Sequence, residues 1–431
     1  MSLATDASAS ARRALFAWGC GEDGQLGVDF PRAGTFASDA CVETPRAVAL
    51  ERDGGDDEVF PLRSLAGGSR NSMCVTRGGE TRAWGWNSHR TLALARAEVD
   101  APRVSTPRRS VIGRGVDGGA VEAVEIASGG WHALCVDVAG DARGWGGNEY
   151  AQAGDGSDAA DGQRGVEPTP DRDMAPARAM LWPPRRVTLP APVAQVACGG
   201  MSSFALLRDG RVFEWGQTSE DDEPRVTPTY LSAREKHVVE IAAGSFHLLM
   251  RTRNGEVLAY GNGTYGQLGL GATGAAAAPR VVETLSRVGV VKIAAGGWHS
   301  AAVTAGGLLY TWGRGEYGRL GHGSDVKDKV VPALVDLGDD ESNFIADVSL
   351  GGSHSCALTC DGVVLSWGRN TLGRLGRVVS DPSPTCGAPG RVVFPPLPDR
   401  RRWRVLRISC GGRHTLAEAI EDALVDPPIA P

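Results

Sequence analysis

The stretch that decides the fold is GGWHSAAVTAGGLLYTWGRGEYGRLG, residues 296–321. Two glycines and a histidine lead into an apolar run, a Gly306-Gly307 turn follows, and a second apolar run ends at Trp312. Because glycine-containing turns join antiparallel strands, residues 299–313 predict a hairpin. The segment that follows the hairpin has the spacing G-x-G-x-x-G, which is also the fingerprint of a dinucleotide-binding loop.

This glycine pattern returns along the chain, and the repetition argues against a cofactor loop. Copies stand at 18–27 (WGCGEDGQLG) and 260–269 (YGNGTYGQLG), with a looser copy at 367–376 (WGRNTLGRLG) and a still looser one at 145–154 (WGGNEYAQAG). A dinucleotide loop opens an amphipathic helix, and none of these copies is followed by one. The glycines are better explained as turn residues that need positive φ, so we predict no cofactor.

A second motif, G-G-x-H, also recurs. It is intact at 129–132, 296–299, 351–354 and 411–414, close at 244–247 (GSFH), and degenerate at 67–70 (GGSR) and 199–202 (GGMS). The histidine-type position stands 13 residues before the next Trp or its Tyr substitute in five copies, and 14 residues before it in the copy 70 to 84. This constancy indicates a rigid structural unit.

The repeats predict an all-β chain with at least three short strands in each unit. The Trp-Gly element has seven copies, at Trp18, Trp84, Trp145, Trp215, Tyr260, Trp312 and Trp367. Repeats of this length without helical periodicity are typical of a β-propeller. The chain begins with a Trp-Gly half-unit, 14–27, and ends with a G-G-x-H half-unit, 405–417.

We therefore predict a single seven-bladed β-propeller whose last blade is closed by N- and C-terminal strands. The predicted boundaries are a disordered N-terminus at 1–13, the propeller at 14–417 and a C-terminal tail at 418–431. Such closure leaves no sheet edge open for aggregation.

Composition narrows the function classes. The net charge of −6 argues against a general nucleic-acid binder, which would carry a basic surplus. No apolar run approaches the roughly 18 residues that a membrane span needs. Nine cysteines without a CxxC pair predict reduced thiols in an intracellular protein of the cytoplasm or nucleus. Cys356 and Cys360 offer too few ligands for zinc, so we predict no metal site.

The ordered motifs G-G-x-H-(S/T), D-G hairpin and W-G-x-G-x-x-G-Q-L-G resemble the repeats of the regulator of chromosome condensation family over about residues 14–417. This resemblance implies a propeller that acts by binding proteins. The family includes a nuclear exchange factor for the small GTPase Ran, and also plant UV-B photoreceptors.

The resemblance extends to individual positions. Two functional histidines of the exchange factor match His299 and His414, whereas its two acidic positions match Gly130 and Met201, which are not acidic. In the photoreceptors, Trp stands two positions before the histidine. Here Trp131 directly precedes its histidine, as Trp298 does, so the excitonic Trp cluster is not reproduced.

Residues just before and at the histidine position form the predicted partner-binding site, on one face near the channel mouth: Trp131, Phe246, Trp298, His299, Arg413 and His414. At the preceding position the residue type varies between copies, with Ser69, Met201 and Ser353 elsewhere, as expected for partner anchors rather than fold requirements. The alternatives are that the aromatic residues fill the channel rim and that the histidines donate to backbone carbonyls of the next blade.

We predict no catalytic residue, because hydrolysis needs a nucleophile beside an oriented base. Ser300, Ser355 and Thr415 follow histidines in repeated positions, which favours a structural role. The predicted function is a protein-binding propeller that serves as a regulatory scaffold. Guanine-nucleotide exchange on a small Ran-type GTPase is the alternative, and UV-B reception ranks behind both.

Overall fold

The structure is a computed structural model that describes residues 11–28, 40–50, 59–113, 120–154, 180–219, 223–231, 233, 236–338, 344–381, 383–399 and 401–423. Most of the predicted N-terminal segment 1–13 lies outside these residues. In the described part of the chain, no helix is long and apolar enough to cross a membrane.

The chain forms seven four-stranded antiparallel sheets, which confirms the predicted seven-bladed propeller. From the channel outward, blade 1 has β3 (Ser64–Gly67), β4 (Asn71–Val75), β5 (Thr81–Trp86) and β6 (Arg103–Arg109); blade 2 has β7 (Ala123–Ser128), β8 (His132–Asp137), β9 (Ala142–Gly147) and β10 (Met180–Arg186); blade 3 has β11 (Val193–Cys198), β12 (Ser202–Leu207), β13 (Val212–Gly216) and β14 (Arg225–Leu231).

The remaining blades follow the same plan. Blade 4 has β15 (Val238–Ala243), β16 (His247–Thr252), β17 (Val257–Gly261) and β18 (Ala276–Val281); blade 5 has β19 (Val290–Ala295), β20 (His299–Thr304), β21 (Leu309–Gly313) and β22 (Lys329–Leu334); blade 6 has β23 (Ile345–Leu350), β24 (His354–Thr359), β25 (Val364–Arg369) and β26 (Thr385–Arg391); blade 7 has β27 (Arg401–Cys410), β28 (His414–Ala423), β1 (Arg13–Cys20) and β2 (Cys41–Val48). Short 3-10 turns stand at Glu283–Leu285 and Glu316–Gly318.

Blade 7 joins the two ends of the chain, as the half-units predicted. Strand β1 pairs with β28 from Arg13 opposite Ile420 to Gly19 opposite His414. Strand β28 runs to Ala423, past the boundary predicted at 417, because its later residues also pair with β27 as far as Arg401. Ladder hydrogen bonds across both pairs therefore hold the ring closed.

The core lies between neighbouring blades. Six indoles are fully buried there: Trp18, Trp84, Trp145, Trp215, Trp312 and Trp367. A buried Trp contributes a large apolar area, which explains why the Trp-Gly element recurs in every blade with one Tyr substitute. The predicted hairpin turns also form, with Gly307 at φ +73° and Gly362 at φ +77°.

Candidate functional site: the G-G-x-H face

Two kinds of loop share one face of the propeller. The G-G-x-H loops join the first strand of a blade to the second, and the Trp-Gly loops join the third strand to the fourth. Since successive strands are antiparallel, both loops emerge on the same side, and the hairpins between the second and third strands emerge on the other. We call the first side the G-G-x-H face.

The channel mouth on this face is narrow because backbones of neighbouring blades touch there. Three residues from each blade line a cavity of about 230 Å³. Ser69 N donates to Gly129 O at 3.0 Å, and Gly412 N donates to Gly68 O at 3.0 Å. A Cβ on Gly130 would lie 2.6 Å from the Gly200 carbonyl oxygen, so a side chain there would push the blades apart.

The histidines of the motif are buried and bind the next blade through a hydroxyl group. His247 Nε2 lies 2.8 Å from Ser300 Oγ in blade 5, and Ser300 Oγ donates to Gln267 O at 2.7 Å. Trp312 Nε1 donates to the same carbonyl at 2.8 Å. Because the serine proton is used on the carbonyl, His247 Nε2 carries its own proton and donates to Ser300 Oγ.

This arrangement, the His–hydroxyl relay, is complete at four blade junctions. Its members are His414, Ser72, Gln25 and Trp84; His132, Ser203, Gln152 and Trp215; His247, Ser300, Gln267 and Trp312; and His299, Ser355, Arg319 and Trp367. The expected structural role for the histidines is present, but their acceptor is a hydroxyl and not a backbone carbonyl.

Where the histidine of the relay is missing, the hydroxyl residue is missing too, as in Asn71 and Ala133 of blades 1 and 2. Between blades 3 and 4, Ser202 replaces the histidine, Leu248 replaces the hydroxyl residue and Tyr260 replaces the Trp. Tyr260 Oη instead donates to Glu214 Oε1 at 3.1 Å. This joint replacement indicates that the His–hydroxyl pair is one unit of the blade interface.

The structure corrects the register of the degenerate first copy. Asn71, and not Arg70, lies opposite Gly85, as His132 lies opposite Gly146 in blade 2. The spacing from Asn71 to Trp84 is therefore also 13 residues. The apparent spacing of 14 arose because Gly67 and Gly68 were aligned with the glycine pairs of the other copies. The residue before the histidine position is consequently Arg70 rather than Ser69.

Burial keeps the relay histidines neutral. Desolvation lowers the pKa of His247 to about 3, and it does the same to the pKa values of His132 and His414. For His299, burial first, and then nearby Arg319, holds the pKa well below its usual value. His299 and His414 are 0% exposed, so their side chains do not reach the surface of the face on which they were predicted to bind a partner.

The residues one position earlier do reach the surface. Phe246 and Trp298, from neighbouring blades, are partly exposed and their rings lie 5.0 Å apart. Tyr265 packs edge-on against Trp298 at 5.3 Å, and the Arg314 guanidinium lies 4.5 Å from the Tyr265 ring centre. These four residues, the aromatic cluster, join loops of blades 4 and 5.

Arg413 and Arg70 occupy the same position in blades 7 and 1. The Arg413 side chain is 58% exposed and lies 3.9 Å from Glu22. Arg70 is 50% exposed and makes two 2.6 Å hydrogen bonds to Asp23. Trp131, in blade 2, is partly exposed and stacks on His89 at 6.1 Å. Four predicted anchors thus lie on one face, but only Phe246 and Trp298 touch each other.

Arginines concentrate on this face beside the aromatic cluster, a feature that the sequence reasoning missed. Arg369 lies 4.5 Å from the ring centre of Tyr317. Burial, and then repulsion by Arg369 and Arg413, lowers the pKa of Arg374 to about 10. The signal was present in the sequence, because the Trp-Gly loops of blades 5 and 6 carry Arg where others carry Gln or neutral residues.

The cysteines contain one group with metal-ligand chemistry. The ligand atoms of His354, Cys356 and Cys410 lie within 4.8 Å of one another, and all three residues are buried. His354 Nε2 already bonds Thr415 Oγ1 at 2.9 Å. The Cys356–Cys360 grouping considered from the sequence does not form, because Cys356 is buried in the sheet while Cys360 is exposed.

The fold and the relay define a repeat propeller, and comparison with protein families agrees. The chain belongs to the RCC1-like domain family: the model of that domain matches residues 3–346. Models of the regulator of chromosome condensation (RCC1) repeat match residues 345–374 and 361–417. The resemblance drawn from the repeats is thereby confirmed.

Individual relatives are similar over different shares of the chain. The E3 ubiquitin-protein ligase HERC2 of Homo sapiens is 30% identical over 428 residues, which are 95% of this chain but 8% of HERC2. The Ultraviolet-B receptor UVR8 of Arabidopsis thaliana is 34% identical over 232 residues, 52% of this chain and 50% of the receptor. The chain therefore spans a small part of HERC2 and about half of UVR8.

Solved structures share the fold. Human WBSCR16 has a TM-score of 0.75 at 22% identity, covering 96% of this chain and 100% of that chain. Yeast RCC1 (Prp20), in its structure bound to Kap60, has a TM-score of 0.74 at 20% identity, covering 96% and 90%. A further structure of Prp20p from Saccharomyces cerevisiae concerns its binding to Gsp1p and histones.

Proposed function

We propose that this propeller is a regulatory scaffold that binds a protein partner on its G-G-x-H face. The observation that supports this proposal is the contrast within each loop. The residue at the histidine position is buried, while the residue before it is partly or fully exposed and changes from blade to blade. Exposed Trp and Arg on a rigid frame are the residue types that dominate binding energy at protein interfaces.

The face also suggests what the partner carries. Arg314 belongs to the aromatic cluster, and Arg369 and Arg413 lie on the same face. Glu316 pairs with Arg314 at 2.6 Å, and Glu22 lies 3.9 Å from Arg413. A partner segment with both acidic and apolar side chains would match this mixture in charge and in contact chemistry.

Nucleotide exchange on a Ran-type GTPase is the competing function, and it would be intracellular in the cytoplasm or nucleus. Prp20 shares the fold at 20% identity, which supports the candidate only at the level of architecture. Against it, His299 and His414 have no exposed surface, so a docked GTPase could not touch them while the blade interfaces stay closed.

The test is capture of partner proteins from native extract. The baits are the wild type, a Trp298→Ala/Arg413→Ala variant and a Leu308→Ala variant. Leu308 is the matched control, because it is an exposed apolar residue of blade 5 in a hairpin on the opposite face, at 49% exposure. A partner of the G-G-x-H face is retained by wild type and Leu308→Ala and lost, at least tenfold, by the double variant.

Equal retention of every captured protein by all three baits contradicts the proposal.

A parallel assay measures release of a fluorescent GDP analogue from Ran-type GTPases. Acceleration by wild type that survives His299→Asn would support exchange through other residues of the face, and no acceleration would remove the exchange candidate.

A further inference from the structure

A pair of cysteines lies in direct cross-strand register where blade 7 meets the G-G-x-H face. Cys20 ends β1, Cys41 begins β2, and the two residues are ladder partners. Cys20 N donates at 2.9 Å to Arg413 O, directly before β28 on the opposite side, whereas the N–H of the next residue, Gly21, donates to Ala40 O at 2.7 Å. Cys20 and Cys41 are therefore a non-hydrogen-bonded pair.

This type of pair brings side chains closest together in an antiparallel sheet. Its Cα atoms lie about 4.5 Å apart, which is inside the range of about 4.4–6.8 Å that a disulfide spans without moving the backbone. The two thiols already touch, because their side chains share a hydrogen bond. No other residue has to leave for a bond to form between the sulfur atoms.

The two thiols differ in exposure and in acidity. Cys20 is 1% exposed, while Cys41 is partly exposed. The hydrogen bond from the Cys41 thiol lowers the pKa of Cys20, with Arg413 helping, and the same bond raises the pKa of Cys41. Cys41 is accessible to a small disulfide in solution. Once the Cys41 sulfur is part of a mixed disulfide, the Cys20 thiol, whose pKa is lowered, is the nucleophile that attacks it.

We propose that Cys20 and Cys41 are an oxidisable dithiol that forms a reversible disulfide by exchange with a low-molecular-weight disulfide such as oxidised glutathione. Cys41 sulfur attacks the small disulfide, which releases one glutathione thiol and leaves a mixed disulfide. Cys20 sulfur then attacks Cys41 sulfur and expels the second glutathione. Both thiol protons leave on the two glutathione molecules, so the protein is oxidised by two electrons and the small disulfide is reduced.

The other cysteines provide internal comparisons. Cys356 and Cys410 are neighbours, but both are closed to solvent, so a solute cannot begin the exchange there. Cys360 is exposed and lies in the turn between β24 and β25, outside both strands. Cys360 is thus the matched control for simple accessibility.

The experiment treats the folded full chain with oxidised glutathione, blocks free thiols and maps tryptic peptides without reduction. Trypsin cuts at Arg32, between the two cysteines, so the disulfide joins two separate peptides. Wild type and Cys360→Ser should both yield this joined pair, and a dithiol reductant should separate it. Cys20→Ser should instead accumulate glutathione on Cys41, because the resolving thiol is gone.

Cys41→Ser tests the order of attack and should leave Cys20 unmodified, since Cys20 has almost no exposed surface. Far-UV circular dichroism checks that each variant is folded, and Cys20→Ala and Cys41→Ala replace any serine variant that is not. Stable glutathione on Cys41 of wild type without joining, or joining to another cysteine before Cys20–Cys41, overturns the proposal.

Discussion

Two adjacent rings of residues on the G-G-x-H face differ in almost every property. The histidine ring is buried, neutral and bonded to the next blade, as His247 is to Ser300. The ring formed by the preceding residues is partly or fully exposed and chemically mixed, with Arg70, Trp131 and Phe246 among its members. Two adjacent positions thus differ in role. The histidine position stabilises the interface between blades, and the position before it is accessible to a partner.

The largest effect should come from opening the closure on which both rings depend. We expect removal of 405–431, or of 1–20, to abolish cooperative folding, because each cut takes ladder partners from β1 or β28 and exposes sheet edges. Thermal melting and size-exclusion chromatography measure this. A truncation of 1–10, which contains no described strand, is the control. Melting of either long truncation like the full chain would show that blade 7 is not essential.

The second-largest effect should come from acid, which lowers stability by favouring protonation of the buried histidines. Four histidines, His132, His247, His299 and His414, have pKa values lowered by burial from the usual 6.5. The unfolded chain binds their protons first, so stability is complete above pH 6.5 and falls as pH drops, by about 1.4 kcal/mol per unit for each group.

Buried carboxyl groups act with the opposite sign, because burial raises the pKa values of Asp347 and Glu418 as well as that of Glu125. Burial raises the pKa of Glu125 from 4.5 to about 8, so its contribution is lost as pH rises through that window. The four histidines outnumber these carboxyl groups, and we expect maximal stability near pH 6.5 and a loss on the order of 4 kcal/mol by pH 5. Urea unfolding at pH 5, 6.5 and 8 is the measurement, and Glu125→Gln should flatten the alkaline side and steepen the loss between pH 6.5 and 5. Higher stability at pH 5 than at 6.5 would contradict the buried-neutral assignment.

Single substitutions sharpen the contrast at neighbouring positions. His299→Ala should lower the free energy of unfolding by about 2–4 kcal/mol, because it leaves a cavity and deprives Ser355 of its donor. His299→Asn should cost less, since Asn71 occupies the equivalent position in blade 1. Chemical denaturation at neutral pH compares the two variants. A loss from His299→Ala no greater than that from an exposed residue would mean that the relay is dispensable.

The smallest effect on folding is expected at the exposed ring. Arg413→Ala should change the free energy of unfolding by less than about 0.5 kcal/mol, because its side chain is 58% exposed and its ion pair with Glu22 is long at 3.9 Å. The same denaturation series measures it. Destabilisation comparable to His299→Ala would show that the two rings share one structural role.

The sequence was sufficient for the architecture and for its closure, because strand punctuation by glycine and burial of Trp are local and repeat seven times. It was insufficient for the histidines. His299 and Ser355 stand 56 residues apart, so their pairing depends on the angle between blades and cannot be derived from the spacing inside one repeat. The one-residue shift of the first copy at Arg70 and Asn71 had a similar origin. Only the strand pairing shows which of its residues align with the glycine pair of the other copies.

The closure of blade 7 also determines when its strands can pair during synthesis of the chain. Blade 5 is complete once its residues from 290 to 334 have emerged, a matter of about 2–9 s at ordinary rates of synthesis. Arg13 and its contact Glu418 are 405 residues apart, so β1 waits roughly 20–80 s for β28. For that interval an apolar strand such as β1 has an unsatisfied edge. Within the propeller, the strand that is made first is thus among the last to gain both of its neighbours.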